Sequence, residues 1–160
     1  MTRLIALALS ACAVLAASSR VSAQNITEWS SENRITLAFK VNPDALQKLL
    51  PSGWVSVPSA SAATPGANLN VTMMEREIVL DPQGKPLRTG TSRYMVLGVP
   101  VKNTQTGQTN TMIAGGLSPE GAGAYGVYLT ATTATVERTV SGDAEAYARV
   151  QEGWTFAAAS

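Results

Sequence analysis

The chain has 160 residues, 12 of them basic and 11 acidic, with a formal net charge of +1 and no histidine. Without histidine, ordinary zinc sites, Ser-His-Asp triads and Cys-His dyads are excluded. The near-neutral balance gives no electrostatic basis for nucleic-acid binding. Only 14% of the residues are charged while 45% are hydrophobic, and Thr, Ser, Ala, Gly and Val are plentiful, which is the composition of strands and turns rather than of a helical bundle.

The first segment reads as an export signal. Met1-Thr2-Arg3 is a short positive region, Leu4 to Ala17 is almost wholly apolar, and Val21-Ser22-Ala23 ends it with small residues at the recognition positions. The apolar run is about 14 residues, short of the roughly 20 that a spanning helix needs. Residues 1–23 are therefore expected to be removed, leaving a periplasmic or secreted chain from Gln24 with no transmembrane span. A second reading takes Leu9-Ser10-Ala11-Cys12 as a lipoprotein box and anchors the chain through Cys12; a third leaves the segment uncleaved as an anchor. Cys12 is the sole cysteine, so a chain starting at Gln24 has no disulfide and relies on its core. Residues 24–160 are long enough for one domain. The acidic residues are scattered and form no EF-hand pattern, so neither a metal nor a cofactor is expected.

Along the remaining chain, the spacing predicts a strand over Arg34 to Val41, with Ile35, Leu37, Phe39 and Val41 on one face. Asn42-Pro43-Asp44 then has the chemistry of a helix start: a capping amide, a proline at the first turn and an acid complementing the dipole. Ala45, Leu46, Leu49 and Leu50 give a helical stripe that Pro51 and Gly53 stop, so one short helix is expected near residues 43–50. Further strands are predicted at Trp54–Val57, Asn68–Leu80 with a bulge near Met73-Met74, Arg93–Val101, Thr109–Leu117, Tyr125–Val140 and Arg149–Ala158. A loop or flexible flap is expected over Ser59 to Gly66, and one helical turn at residues 143–149. The last strand runs almost to Ser160 without a capping turn, which reads as a barrel that is C-terminally incomplete and as an open sheet edge able to pair with another chain.

Two segments together resemble the acetoacetate decarboxylase superfamily. One is Phe39-Lys40-Val41-Asn42-Pro43-Asp44-Ala45-Leu46-Gln47-Lys48-Leu49-Leu50-Pro51, similar to the strand and Asn/Asp-Pro-x-Ala-Leu-x-x-Leu-Leu-Pro opening of that family. The other is Arg93-Tyr94-Met95-Val96-Leu97-Gly98-Val99-Pro100-Val101-Lys102, similar to its Arg-(4 residues)-Gly-Phe-Pro-Lys-Lys segment. The strand bearing Glu75 resembles the glutamate-bearing strand between them. The resemblance spans residues 34–102 and implies a mainly β, antiparallel, cone-shaped barrel. It also implies Schiff-base chemistry on the first lysine of the Lys-Lys pair, activated by the like charge of the second. Here the first position is Val101 and only Lys102 remains, on the opposite side of the strand from Val101.

Three functional expectations follow. In the first, the domain lacks decarboxylase activity and binds a small apolar or carboxylate-bearing ligand, with Arg93 holding the carboxylate and Met95 and Met112 lining the pocket. In the second it is a lyase acting on a β-keto acid through Lys102, assisted by Glu75. In the third it is a cell-envelope assembly protein, homo-oligomeric through its last strand. Glu75 and Glu77, two apart on one strand, otherwise read as an outward, solvated face with Arg76 opposite. The methionines otherwise read as core filler, and Trp29, Trp54 and Trp154 as core or rim aromatics.

Overall fold

A computed structural model describes residues 25–87, 91–122, 126–142 and 149–159. Seven strands and one short helix follow in the order β1 (Trp29–Phe39), α1 (Pro43–Gln47), β2 (Trp54–Ser56), β3 (Leu69–Leu80), β4 (Ser92–Asn103), β5 (Thr109–Ser118), β6 (Tyr128–Ser141) and β7 (Arg149–Ala158). All seven strands belong to one sheet with the path β1-β3-β4-β5-β6-β7, and β2 pairs with the far end of β4 beside β3. The chain is mainly β and the sheet curls into a half-barrel.

Pairing is antiparallel except for one short parallel stretch, Gly116–Ser118 of β5 against Tyr128–Thr130 of β6. That stretch depends on Gly116. A Cβ there would collide with the Met95 carbonyl oxygen and lie 2.7 Å from Tyr128 Cδ1. Three register slips bend the sheet by inserting one extra residue each: Glu77 in β3, Ala114 in β5 and Thr132 in β6. The curl is measurable across the sheet. β3 and β6 are three strand spacings apart, about 14 Å in a flat sheet, yet Glu75 and Arg138 on those strands form an ion pair at 3.3 Å.

Helix α1 forms as its sequence dictates. The Asn42 side chain accepts from the Asp44 N–H and Pro43 opens the helix. It is shorter than expected, ending at Gln47, with hydrogen-bonded turns carrying the chain on to Leu50. Its position is set by Asn68, a buried amide whose Oδ1 accepts from the Val41 N–H at 2.8 Å and whose Nδ2 donates to the Val41 carbonyl at 2.9 Å. This side chain extends the β1–β3 ladder by one rung beyond Phe39. Leu46 is thereby held against Val99 and Val101, the driest part of the molecule, with Trp54, Leu69 and Met112 packed around them.

The strand expectations hold in outline and shift in detail. β1 begins at Trp29, five residues before the predicted start. Of its inner-face side chains Ile35 is half-buried, but Leu37 is 45% and Phe39 43% exposed, because β1 lies on the edge of the sheet. The bulge in β3 falls at Glu77, not at Met73-Met74. Tyr125 and residues 143–148 of the expected helical turn lie outside the described residues, and Arg149 belongs to β7. No described helix is long and apolar enough to cross a membrane.

Candidate functional site

Register fixes which side chains share the inner face of the curl. Glu75 pairs with Arg93, Met73 with Met95 and Val71 with Leu97 between β3 and β4. On β1, Asn33, Ile35 and Leu37 stand opposite the same three β3 residues. The inner face is thus an apolar floor of Val71, Met73, Met95 and Leu97. α1 closes it at one end, and a rung of charged side chains crosses it at the other.

The rung is continuous over four strands. Glu75 Oε1 accepts from Arg93 Nε at 3.0 Å and from Arg93 Nη2 at 2.7 Å. Glu75 Oε2 accepts from Arg138 Nη2 at 3.3 Å. Arg138 Nε donates to Glu152 Oε1 at 2.6 Å, and Trp154 Nε1 donates to Glu152 Oε2 at 3.2 Å. Trp154 in turn stacks on Phe156, with ring centroids 6.2 Å apart. The hydrogen bond from Arg138, with its charge, holds the Glu152 carboxyl below its usual range against the opposing cost of burial. The hydrogen bond to Glu152, then the charges of Glu152 and Glu75, raise Arg138 further above its already high value.

A cavity of about 660 Å³ opens beside this rung, between β1 and the β6–β7 hairpin, lined by Asn33, Arg34, Ile35, Arg138, Val140, Val150 and Glu152. None of these is a nucleophile. Arginine stays protonated at all working pH values, and the Glu152 carboxylate is tied to two donors. The arrangement is suited to orienting a polar group at the lip of an apolar trough, not to proton transfer. A second cavity of about 480 Å³ lies at the α1 end, lined by Trp54, Val101, Asn110, Thr111, Met112 and Ile113.

The residues singled out from the sequence are distributed over both ends. Lys102 is exposed on β4, while Val101 beside it is wholly buried. Met112 lines the cavity at the α1 end, and Met95 forms part of the floor. Arg93 and Glu75 do meet, but in each other's grip: the two nitrogens expected to hold a ligand carboxylate are on Glu75. The outward reading of Glu75 and Glu77 fails for Glu75, which is buried, whereas Glu77 is exposed and accepts from Asn33 Nδ2 at 2.9 Å. The extra residue of the β3 bulge is what separates their surroundings.

Arg138 and Glu152 were not singled out. Their signal was present: Val150, Glu152, Trp154 and Phe156 form one row of β7, and a lone carboxylate in an apolar row demands a partner. The partner lies 14 residues upstream across the β6–β7 hairpin, which only the register reveals. Among the described residues no group of three or more metal-ligating side chains converges. No family model, curated protein or solved structure matches the chain.

Proposed function

We propose that this is an exported, acetoacetate decarboxylase-like domain that has no decarboxylase activity and binds a small, mainly apolar molecule along its inner face. The observation that carries this reading is the split between Val101 and Lys102. The position corresponding to the imine-forming lysine is a dry valine under α1, and the remaining lysine is solvated on the other face. Lys102 has no second lysine beside it in the sequence to supply the like charge that activates the nucleophile of the resembled family. Glu75 and Arg93, which belong to the two neighbouring segments of the resemblance, are joined across β3 and β4.

Binding is favoured by the trough itself. Leu37 and Phe39 remain open at its edge, and the charged rung balances two carboxylates with two guanidinium groups, so it orients a ligand without demanding an anion. The test is intact mass after borohydride reduction with acetoacetate, together with tryptophan-fluorescence titration by decanol and decanoate. The expected result is an unmodified mass, with saturable binding of both probes that is weakened in Leu37→Asp. A reduced adduct lost in Lys102→Ala would overturn the reading in favour of a lyase. Failure of both probes to bind would remove the binding role.

A further inference from the structure

Among the described residues β1 pairs with β3 alone, so its other side carries a free row of backbone donors and acceptors. The strand is 11 residues long, about twice the mean strand. Natural sheet edges of that length are blunted above all by lysine and other charges, by proline or by a bulge in the edge strand. Trp29 to Phe39 contains no proline or lysine and only one charge of each sign, and the extra residue of the bulge, Glu77, belongs to β3. Three of its large apolar side chains are open, Trp29 at one end (53% exposed) and Leu37 and Phe39 at the other. Its only charges are Glu32 and Arg34, two residues apart on the outer row; within one chain they pair with each other, and Glu32 also lies 3.8 Å from Arg76, so pairing across the seam would exchange or share these contacts.

We infer that β1 is a self-pairing edge, on which a second copy of the chain lays its own β1 antiparallel about a two-fold axis at Asn33. Such an interface is isologous. For both copies to keep their apolar rows on one side of the joined sheet, the axis must pass through a residue rather than between two. Charge then selects the residue. An axis at Asn33 sets Glu32 opposite the partner's Arg34 and Arg34 opposite the partner's Glu32, and brings Trp29 against the partner's Leu37 on the inner face. An axis at Glu32 opposes two glutamates, and one at Arg34 opposes two arginines; like charges directly opposite are destabilising. An axis at Ile35 leaves both without a partner across the seam; one at Ser31 offers Arg34 only the partner's Glu28, which lies outside β1 and is already paired with Arg76, and one at Thr36 offers Glu32 only the partner's Lys40, beyond the strand, and leaves Arg34 unmatched. The second copy would also wall the β1 side of the 660 Å³ cavity, which Asn33, Arg34 and Ile35 line.

The test is sedimentation of the protein alongside Arg34→Glu and Glu32→Arg, each checked for folding by circular dichroism. The wild type is expected to be dimeric. Each variant alone faces like charges across the seam, and its dimer should weaken on the order of tenfold or more; a 1:1 mixture restores complementarity and should restore the dimer. A wild type that stays monomeric at concentrations on the order of 100 μM overturns the inference. So does a dimer indifferent to both variants, which would put the interface elsewhere. Should either variant fail to fold, Asn33→Cys in a Cys12→Ser background decides. Oxidation is expected to link two copies at position 33, whereas Ser31→Cys, set opposite the partner's Ile35, stays unlinked; equal linking of both, or of neither, overturns the register.

Discussion

The two ends of the trough solve opposite problems with the same sheet. At the α1 end, Leu46, Val99 and Val101 exclude water and no charge intrudes. At the other end, Glu75, Arg93, Arg138 and Glu152 cross the face in a chain of ion pairs beside an open cavity. The dry end supplies stability from apolar burial; the charged end supplies position, since buried or half-buried ion pairs add little net free energy but penalise any arrangement that separates them. Val101, the position that the proposed resemblance aligns with the family's lysine, sits at the end that excludes charge.

The sharpest way to break this contrast is to put a charge at the dry end. Val101→Lys is expected to destabilise the fold by at least about 3 kcal/mol in urea unfolding, because a buried amine loses hydration without a partner. The sign with pH follows from linkage. Burial depresses the folded lysine pKa below its unfolded value, so the penalty is largest below the folded pKa and shrinks as pH rises toward the unfolded value near 10.4. A variant as stable as the wild type at pH 7 would mean that the α1 end admits water, and Val101 would then no longer argue against imine chemistry.

The charged end should respond less and more selectively. Glu75→Gln leaves Arg93 and Arg138 facing each other without the carboxylate that joins them. A loss of about 1–3 kcal/mol is expected, discounted for the partial exposure of both guanidinium groups. Glu77→Gln, two residues on and exposed, is expected to change stability by no more than about 0.5 kcal/mol. Equal effects at the two positions would remove the distinction that the β3 bulge creates between them.

How much of this was legible in sequence depended on whether the signal was local. The start of α1 was readable because Asn42, Pro43 and Asp44 act within one turn. Val101 and Lys102 were readable as facing opposite ways because strand alternation is local too. The ends of β1 were not, since Trp29 to Asn33 join the strand only by pairing with Leu80 to Glu75 of β3. The rung was invisible for the same reason. Arg138 meets Glu75 across 63 residues of sequence, and that meeting depends on how far the sheet curls, which no short window encodes. The bulge was expected in β3 but misplaced, because alternation around Met73-Met74 is ambiguous when both faces carry methionine.

The smallest effect lies at the outer end of the rung, and its sign is its value. The Glu152 carboxyl is held below its usual pKa chiefly by the hydrogen bond from Arg138. An unfolded chain therefore takes up this proton first as pH falls, so Glu152 contributes stability above its unfolded value near 4.3 and loses it as pH drops through the lower folded value. Arg138 is raised and stays charged throughout, so it adds no pH dependence in this window. The difference in Tm between wild type and Glu152→Gln is thus expected to be present at pH 6–7 and to close between about pH 5 and 3. A difference that is constant across that range would assign Glu152 a packing role against Trp154 rather than an electrostatic one. The rung would then end at Arg138, and the β6–β7 hairpin would be held to the trough by Glu75 alone among its charged contacts.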